Sequence, residues 1–180
     1  MARYVAFLRG MNLGSRRLKN TELVAEFEHL GFAEVATFRA SGNVVFSAAG
    51  RASEAALTKK VEAGLGHGLG YEVLVFLRSV AEVAAIAAYE PFPAKAVAGS
   101  KGKLQVSLLA KKPSATAVKQ ALDLGSDHDR LAIEGRELYW LPSGGISDSD
   151  LDLKALDKAL GKGTVRTMGT IEQIAAKYCG

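Results

Sequence analysis

With 180 residues, 48% of them hydrophobic and 23% charged, the chain is long and apolar enough to bury a core without disulfide or metal staples. Its single cysteine, Cys179, excludes an intrachain disulfide, and no apolar run approaches the roughly 18–20 residues of a membrane span. No cleavage-site pattern follows the first apolar run, so the expectation is a cytoplasmic protein without a secretory leader or a membrane partner.

Residues 4–8 form a short, almost wholly apolar run, the pattern of a strand buried on both faces. A basic, glycine-bearing loop follows over 9–19. Asn20 then reads as an N-cap, with Leu23, Val24, Phe27 and Leu30 at helical spacing. Gly31 supplies the stop and Phe32 packs back on the last turn. Strands are predicted at 35–39 and 44–47, joined through Ala40, Ser41, Gly42 and Asn43, residue types that suit a tight hairpin. A helix over 53–65 is broken by Gly64, Gly66, Gly68 and Gly70, and a strand at 72–77 completes a βαββαβ series.

The second half repeats this plan. A linking helix over 79–88 ends before Pro91 and Pro93. A strand at 104–110, a capped helix at 114–124 and a hairpin of strands at 131–134 and 137–141 come next. A helix over 151–160 with Leu153, Leu156 and Leu160 inward, a short strand at 164–167 and a terminal helix at 171–178 close the chain. The fold class is α+β: duplicated ferredoxin-like βαββαβ units with a linking helix and a C-terminal helix. Residues 1–78 form the N-terminal unit and 79–180 a C-terminal unit packed tightly against it.

The net charge of +4 is unevenly distributed. Residues 1–21 carry no acid but hold Arg3, Arg9, Arg16, Arg17 and Lys19, and residues 91–122 are again free of acids. This segregation marks either a basic face that attracts anions or charges that neutralise one another across the surface. The loop from Arg9 through Gly10, Asn12, Gly14, Arg16 and Arg17 is the strongest candidate site. It leaves a buried strand and enters a helix N-terminus, and its glycines permit close backbone approach to an anion. The P-loop lysine and Ser/Thr are absent. Ser41 and Asn43, with Arg39 beside them, are polar-ligand candidates at the hairpin.

Other signals carry less. The glycine run 64–68 follows a helix and precedes a strand, the wrong order for a dinucleotide fingerprint, and no cofactor is expected. Asp148, Asp150 and Asp152 lack the glycine and glutamate of a calcium loop and suit a helix N-terminus. His29, His67 and His128 share no metal-ligand spacing with Cys179, and no serine sits in a nucleophile elbow. Tyr89, Phe92, Tyr139 and Trp140 suit base stacking in chemistry but core packing by position.

The stretch from Tyr4 to Gly14, with Ser41-Gly42-Asn43-Val44-Val45-Phe46, resembles the bacterial family catalogued as domain of unknown function 1697. A helix ending Leu30-Gly31-Phe32 lies between the two motifs. Pro91-Phe92 and the segment 139–145 match shorter signatures, so the resemblance spans essentially the whole chain. It implies a duplicated ferredoxin-like arrangement and no assigned activity. The family pattern near the C-terminus has arginine followed by asparagine and tryptophan. Here Arg166 is followed by Thr167 and Met168, and Asp150 replaces a lysine, so only Arg166 carries over.

Three functions fit these readings. One is binding of a phosphate-bearing small molecule, a nucleotide, or RNA at the loop 9–17, with Ser41, Asn43 and Arg166 lining the same pocket. A second is a small phosphate or acyl-phosphate hydrolase in which an arginine and Asn43 orient water. A third is a non-catalytic scaffold whose basic and acidic stretches meet between subunits. A monomer or weak dimer is expected.

Overall fold

The computed structural model describes residues 1–10, 18–39 and 42–180. The chain divides into two compact units, Met1–Ala84 together with Ile174–Gly180, and Ala85–Gln173. The division lies inside the linking helix rather than at 78/79, and the last residues of the chain count with the first unit.

In the first unit the elements are β1 (Ala2–Arg9), α1 (Asn20–His29), β2 (Ala33–Thr37), β3 (Asn43–Ala48), α2 (Glu54–Leu69), β4 (Leu74–Ser79) and the start of α3 (Val80–Ala88). The sheet is antiparallel in the order β2-β3-β1-β4, with β1 central. Register puts Ala6 opposite both Val44 and Leu77, so one sheet face carries Ala6, Leu8, Val44, Phe46, Val75 and Leu77. Leu23 and Phe27 of α1 and Leu57, Val61 and Leu65 of α2 pack on that face. Val5 and Phe7, pointing to the other face, are also fully buried, as the unbroken apolar run of β1 requires.

The second unit contains α4 (Ala94–Gly99), β5 (Gln105–Leu109), α5 (Ala115–Leu122), β6 (Asp129–Glu134), β7 (Glu137–Pro142), α6 (Leu153–Leu160), β8 (Gly163–Thr167) and the first part of α7 (Met168–Tyr178). Its sheet runs β6-β7-β5-β8, the same order with each strand replaced by its counterpart. Leu109, Ala121, Leu138, Trp140, Leu156 and Leu160 form its core. The chain is therefore a duplication of one βαββαβ plan, followed by a terminal helix.

Four local expectations are corrected by the structure. The N-cap of α1 is Lys19, not Asn20: its backbone N–H donates to Glu22 Oε2 at 2.8 Å. The short helix α4 occupies a stretch with no predicted element, where Pro93 sets the entry dihedral.

Helix α2 does not break at Gly64 but runs on to Leu69 and stops at Gly70, in the left-handed conformation. Packing explains the glycine at 64. A Cβ on Gly64 would lie 2.5 Å from Leu30 Cδ2 and 3.1 Å from its Cγ, so α1 and α2 approach where no side chain intervenes. At Gly66 the nearest atom is 3.9 Å away, leaving room for a methyl group. Gly66→Ala is therefore expected to raise stability by roughly 0.5–1 kcal/mol through helix propensity. Gly64→Ala is expected to lower it by about 1–2 kcal/mol, because overpacking against Leu30 outweighs the same gain. Urea unfolding followed by far-UV circular dichroism measures both, and equal gains at the two sites would contradict the packing account.

Leu153 does not face inward. It is 53% exposed, whereas Leu151, outside the helix, is buried. Asp152 caps α6 by accepting from Ala155 N–H at 3.0 Å, which makes Leu151 the residue before the cap and Leu156 the fourth helical residue. These two join the same core as a hydrophobic staple, and Leu153 turns to the outside.

Candidate functional site

The two sequence motifs of the first unit meet at one end of its sheet, where the inner strands β1 and β3 pair. Phe7 on β1 is registered with Asn43 on β3, and Leu8 N–H donates to Gly42 O at 2.8 Å, so the β2–β3 hairpin lies beside the end of β1. The start of α1 joins them, since Asn20 Nδ2 donates to Arg39 O at 3.3 Å. Arg9, Lys19 and Arg39, all exposed, are thus carried on three segments tied together by hydrogen bonds.

Backbone conformation at this end is unusual. Gly10 has φ 92°, and a Cβ there would lie 3.1 Å from Glu72 O, so both conformation and space call for glycine. Gly42 has φ 76°. Arg39 adopts φ 57° without being glycine, a conformation that costs roughly 1–2 kcal/mol for an L-residue. Its guanidinium carbon stands 5.6 Å from the Phe38 ring centroid. Strain of this kind concentrates where loops are held for binding.

Asn43 is fully buried. Its Nδ2 donates to Phe38 O at 3.0 Å, and Phe38 N–H donates to Asn43 O at 3.0 Å, closing the hairpin by side chain and backbone together. Of the other candidates, Asn12, Gly14, Arg16, Arg17 and Ser41 lie outside the described residues. Arg39 and Lys19 were legible as cations but were not among the predicted site residues. What places them there is the tie from α1 to the hairpin, which no local signal records.

Arg166 lies in the second unit, on β8. Its Nη1 donates to Thr164 Oγ1 at 2.8 Å and to Val165 O at 2.9 Å. Burial lowers its pKa to about 10, and it remains a cation at neutral pH. The duplication gives it a counterpart. Arg78 on β4 is registered with Val5 as Arg166 is with Val106, and its Nη1 likewise donates to the preceding carbonyl, Leu77 O, at 2.8 Å. The next residue caps the following helix in both units: Ser79 Oγ accepts from Glu82 N–H and Thr167 Oγ1 from Thr170 N–H, each at 3.2 Å. Arg78, 1% exposed, was missed in the sequence. The signal was there: an aliphatic residue, arginine and Ser/Thr just before a helix at the end of each half.

Cys179 belongs with the first unit. Burial raises its thiol pKa, and the positive charge of Arg3 opposes that shift. Among the described residues no group of three or more histidine, cysteine or acidic side chains is arranged to hold a metal ion. No helix among them is long and apolar enough to cross a membrane.

Fold and register define the class: an α+β protein made of two βαββαβ units with matching strand order. Its residues 1–139 match the family described as protein of unknown function (DUF1697), and the chain belongs to that family. The match ends before Asp150, Thr167 and Met168, where the sequence departs from the family pattern. Among solved structures the chain is similar to the conserved bacterial protein SP0830 from Streptococcus pneumoniae, with 20% identity and a TM-score of 0.72. That likeness covers 98% of this chain and 97% of the other, and at this identity it shows the fold. Comparison with curated proteins gives no match.

Proposed function

We propose that the protein binds a phosphate-bearing ligand, a nucleotide or single-stranded RNA, at the end of the first unit's sheet where β1, α1 and the β2–β3 hairpin meet. The observation that carries this reading is the convergence of Arg9, Lys19 and Arg39 on hydrogen-bonded segments. Arg16 and Arg17 belong to the segment that joins β1 to α1 and add to the positive charge in its sequence. The Glu22 carboxylate already occupies the N–H of Lys19, so cationic side chains would be the principal partners of the phosphate.

Binding is favoured over hydrolysis by the commitment of Asn43. The amide that would orient water is buried and donates to Phe38 O, which suits a structural post.

The test is titration of ATP by calorimetry and of fluorescein-labelled oligouridylate by anisotropy, each over a range of salt. An RNA ligand gives a log–log salt slope of about 0.7 per phosphate contacted. Arg9→Ala combined with Arg39→Ala is expected to weaken binding by about a hundred-fold, from two charge-assisted contacts of about 1.5 kcal/mol each. The circular dichroism spectrum should be unchanged. Equal affinity of the double variant and the native protein, or no binding of either probe, removes the proposal. Asn43 is left intact because its loss would open the hairpin.

A further inference from the structure

The second unit contains a cavity that none of the preceding readings uses. It has a volume of about 290 Å³ and lies between the end of α4, the start of β6 and the end of β7. Ala96, Leu141 and Pro142 supply apolar wall, while Arg130 and Asp127 contribute opposite charges and Ser100 and Ser143 hydroxyl groups.

The walls are fixed by hydrogen bonds. Ser100 Oγ donates to Pro142 O at 2.5 Å and accepts from Gly102 N–H at 3.0 Å, while Lys101 N–H donates to Ser143 O at 3.3 Å. Gly102 lets this segment lie flat, since a Cβ there would fall 2.6 Å from Pro142 O. On the opposite wall, Ser126 Oγ accepts from the N–H groups of His128 and Asp129, both at 3.2 Å, and Ser143 N–H donates to His128 O at 2.8 Å. The turn that carries Asp127 is therefore anchored to the strand that carries Ser143.

Arg130 and Asp127, which line this depression, are both exposed. Two exposed charges of opposite sign thus border an apolar wall in one depression. Ligand cavities commonly measure about 300–1,000 Å³, so this one suits a small metabolite and is too small for a dinucleotide.

We infer that this cavity binds a small aliphatic zwitterion of amino-acid size. The carboxylate pairs with Arg130, the ammonium on the same carbon with Asp127, and the aliphatic side chain lies on Leu141, Pro142 and Ala96. Bidentate guanidinium–carboxylate pairing orients the carboxylate, and a point-charge contact holds the ammonium. The site lies wholly in the second unit and is independent of the phosphate-binding proposal.

The experiment is amide-detected NMR titration of the full chain with L-leucine, with isocaproate (the same body and anion) and with isoamylamine (the same body and cation). L-leucine is expected to shift the Ser100 and Ser143 amides saturably, and each single-charge probe to bind at least about ten-fold more weakly. Arg130→Gln and Asp127→Asn should each reduce leucine affinity by about ten-fold while the rest of the spectrum stays in place. The inference is overturned by absence of a saturable shift with L-leucine, by isocaproate binding as tightly as L-leucine, or by native affinity in both variants.

Discussion

Replacing Phe46 by alanine is expected to destabilise the first unit by about 3–5 kcal/mol, the range for deleting a buried aromatic ring. Phe46 is fully buried on β3 and lies at the centre of an aromatic group. Its ring centroid stands 4.5 Å from Phe32, 5.3 Å from Phe27 and 5.8 Å from Tyr4. Those partners come from the turn after α1, from α1 itself and from β1, so one ring joins the helix, its stop and the central strand. Against a typical total of about 5–15 kcal/mol, such a loss removes a large share of stability. Phe46→Leu keeps most of the volume and should cost less than half as much. Far-UV circular dichroism in urea reads the change, and a loss below about 1 kcal/mol for Phe46→Ala would mean that this cluster is not the core of the unit.

In the second unit the largest expected effect comes from Asp129. Its carboxylate is buried, and Oδ1 accepts from Trp140 Nε1 at 2.9 Å and from Ser149 Oγ at 2.7 Å. Trp140 is itself 6% exposed, so removal of the carboxylate strands an indole N–H inside the protein. Asp129→Ala is expected to cost about 2–4 kcal/mol, combining a charge-assisted hydrogen bond with the penalty of an unsatisfied buried donor. Asp129→Asn retains an acceptor oxygen and should cost clearly less. Trp140 is the single tryptophan of the chain, so its fluorescence and its indole N–H resonance report directly on this contact. An indole resonance and an unfolding midpoint both unchanged in Asp129→Ala would refute the assignment.

The two residues illustrate how far local sequence reaches. Phe46 was legible as part of a strand after Ser41-Gly42-Asn43, and Phe32 as the residue that packs back past Gly31, as the 6.0 Å Phe27–Phe32 centroid distance bears out. Asp129 was legible only as one acid among several. Its role depends on the β6–β7 pairing that sets Leu131 opposite Trp140, and on Ser149 arriving from beyond the hairpin.

The candidate site divides in the same way. Arg9, Gly10 and the hairpin residues stand out by type, because positive φ favours glycine and basic loops draw attention by charge. Their adjacency to Arg39 and Lys19 arises from the registration of Phe7 with Asn43 and from the bond between Asn20 and Arg39. Arg78 shows the opposite case, a buried charge that stands out only when Leu77-Arg78-Ser79 is set beside Val165-Arg166-Thr167 of the other half.

Taken alone, the amino-acid order determined the succession of strands and helices apart from α4, the duplicated plan and the stop of α1 at Gly31. Those follow from backbone preference and from the 2.0- and 3.6-residue periods, which act between near neighbours. Tertiary structure alone decided that Gly64 stays within α2, that Leu151 and not Leu153 enters the core, and which cations share one end of the sheet. Such outcomes depend on contacts between segments distant in the chain, whose packing energies exceed the fraction of a kilocalorie per residue that local propensity supplies.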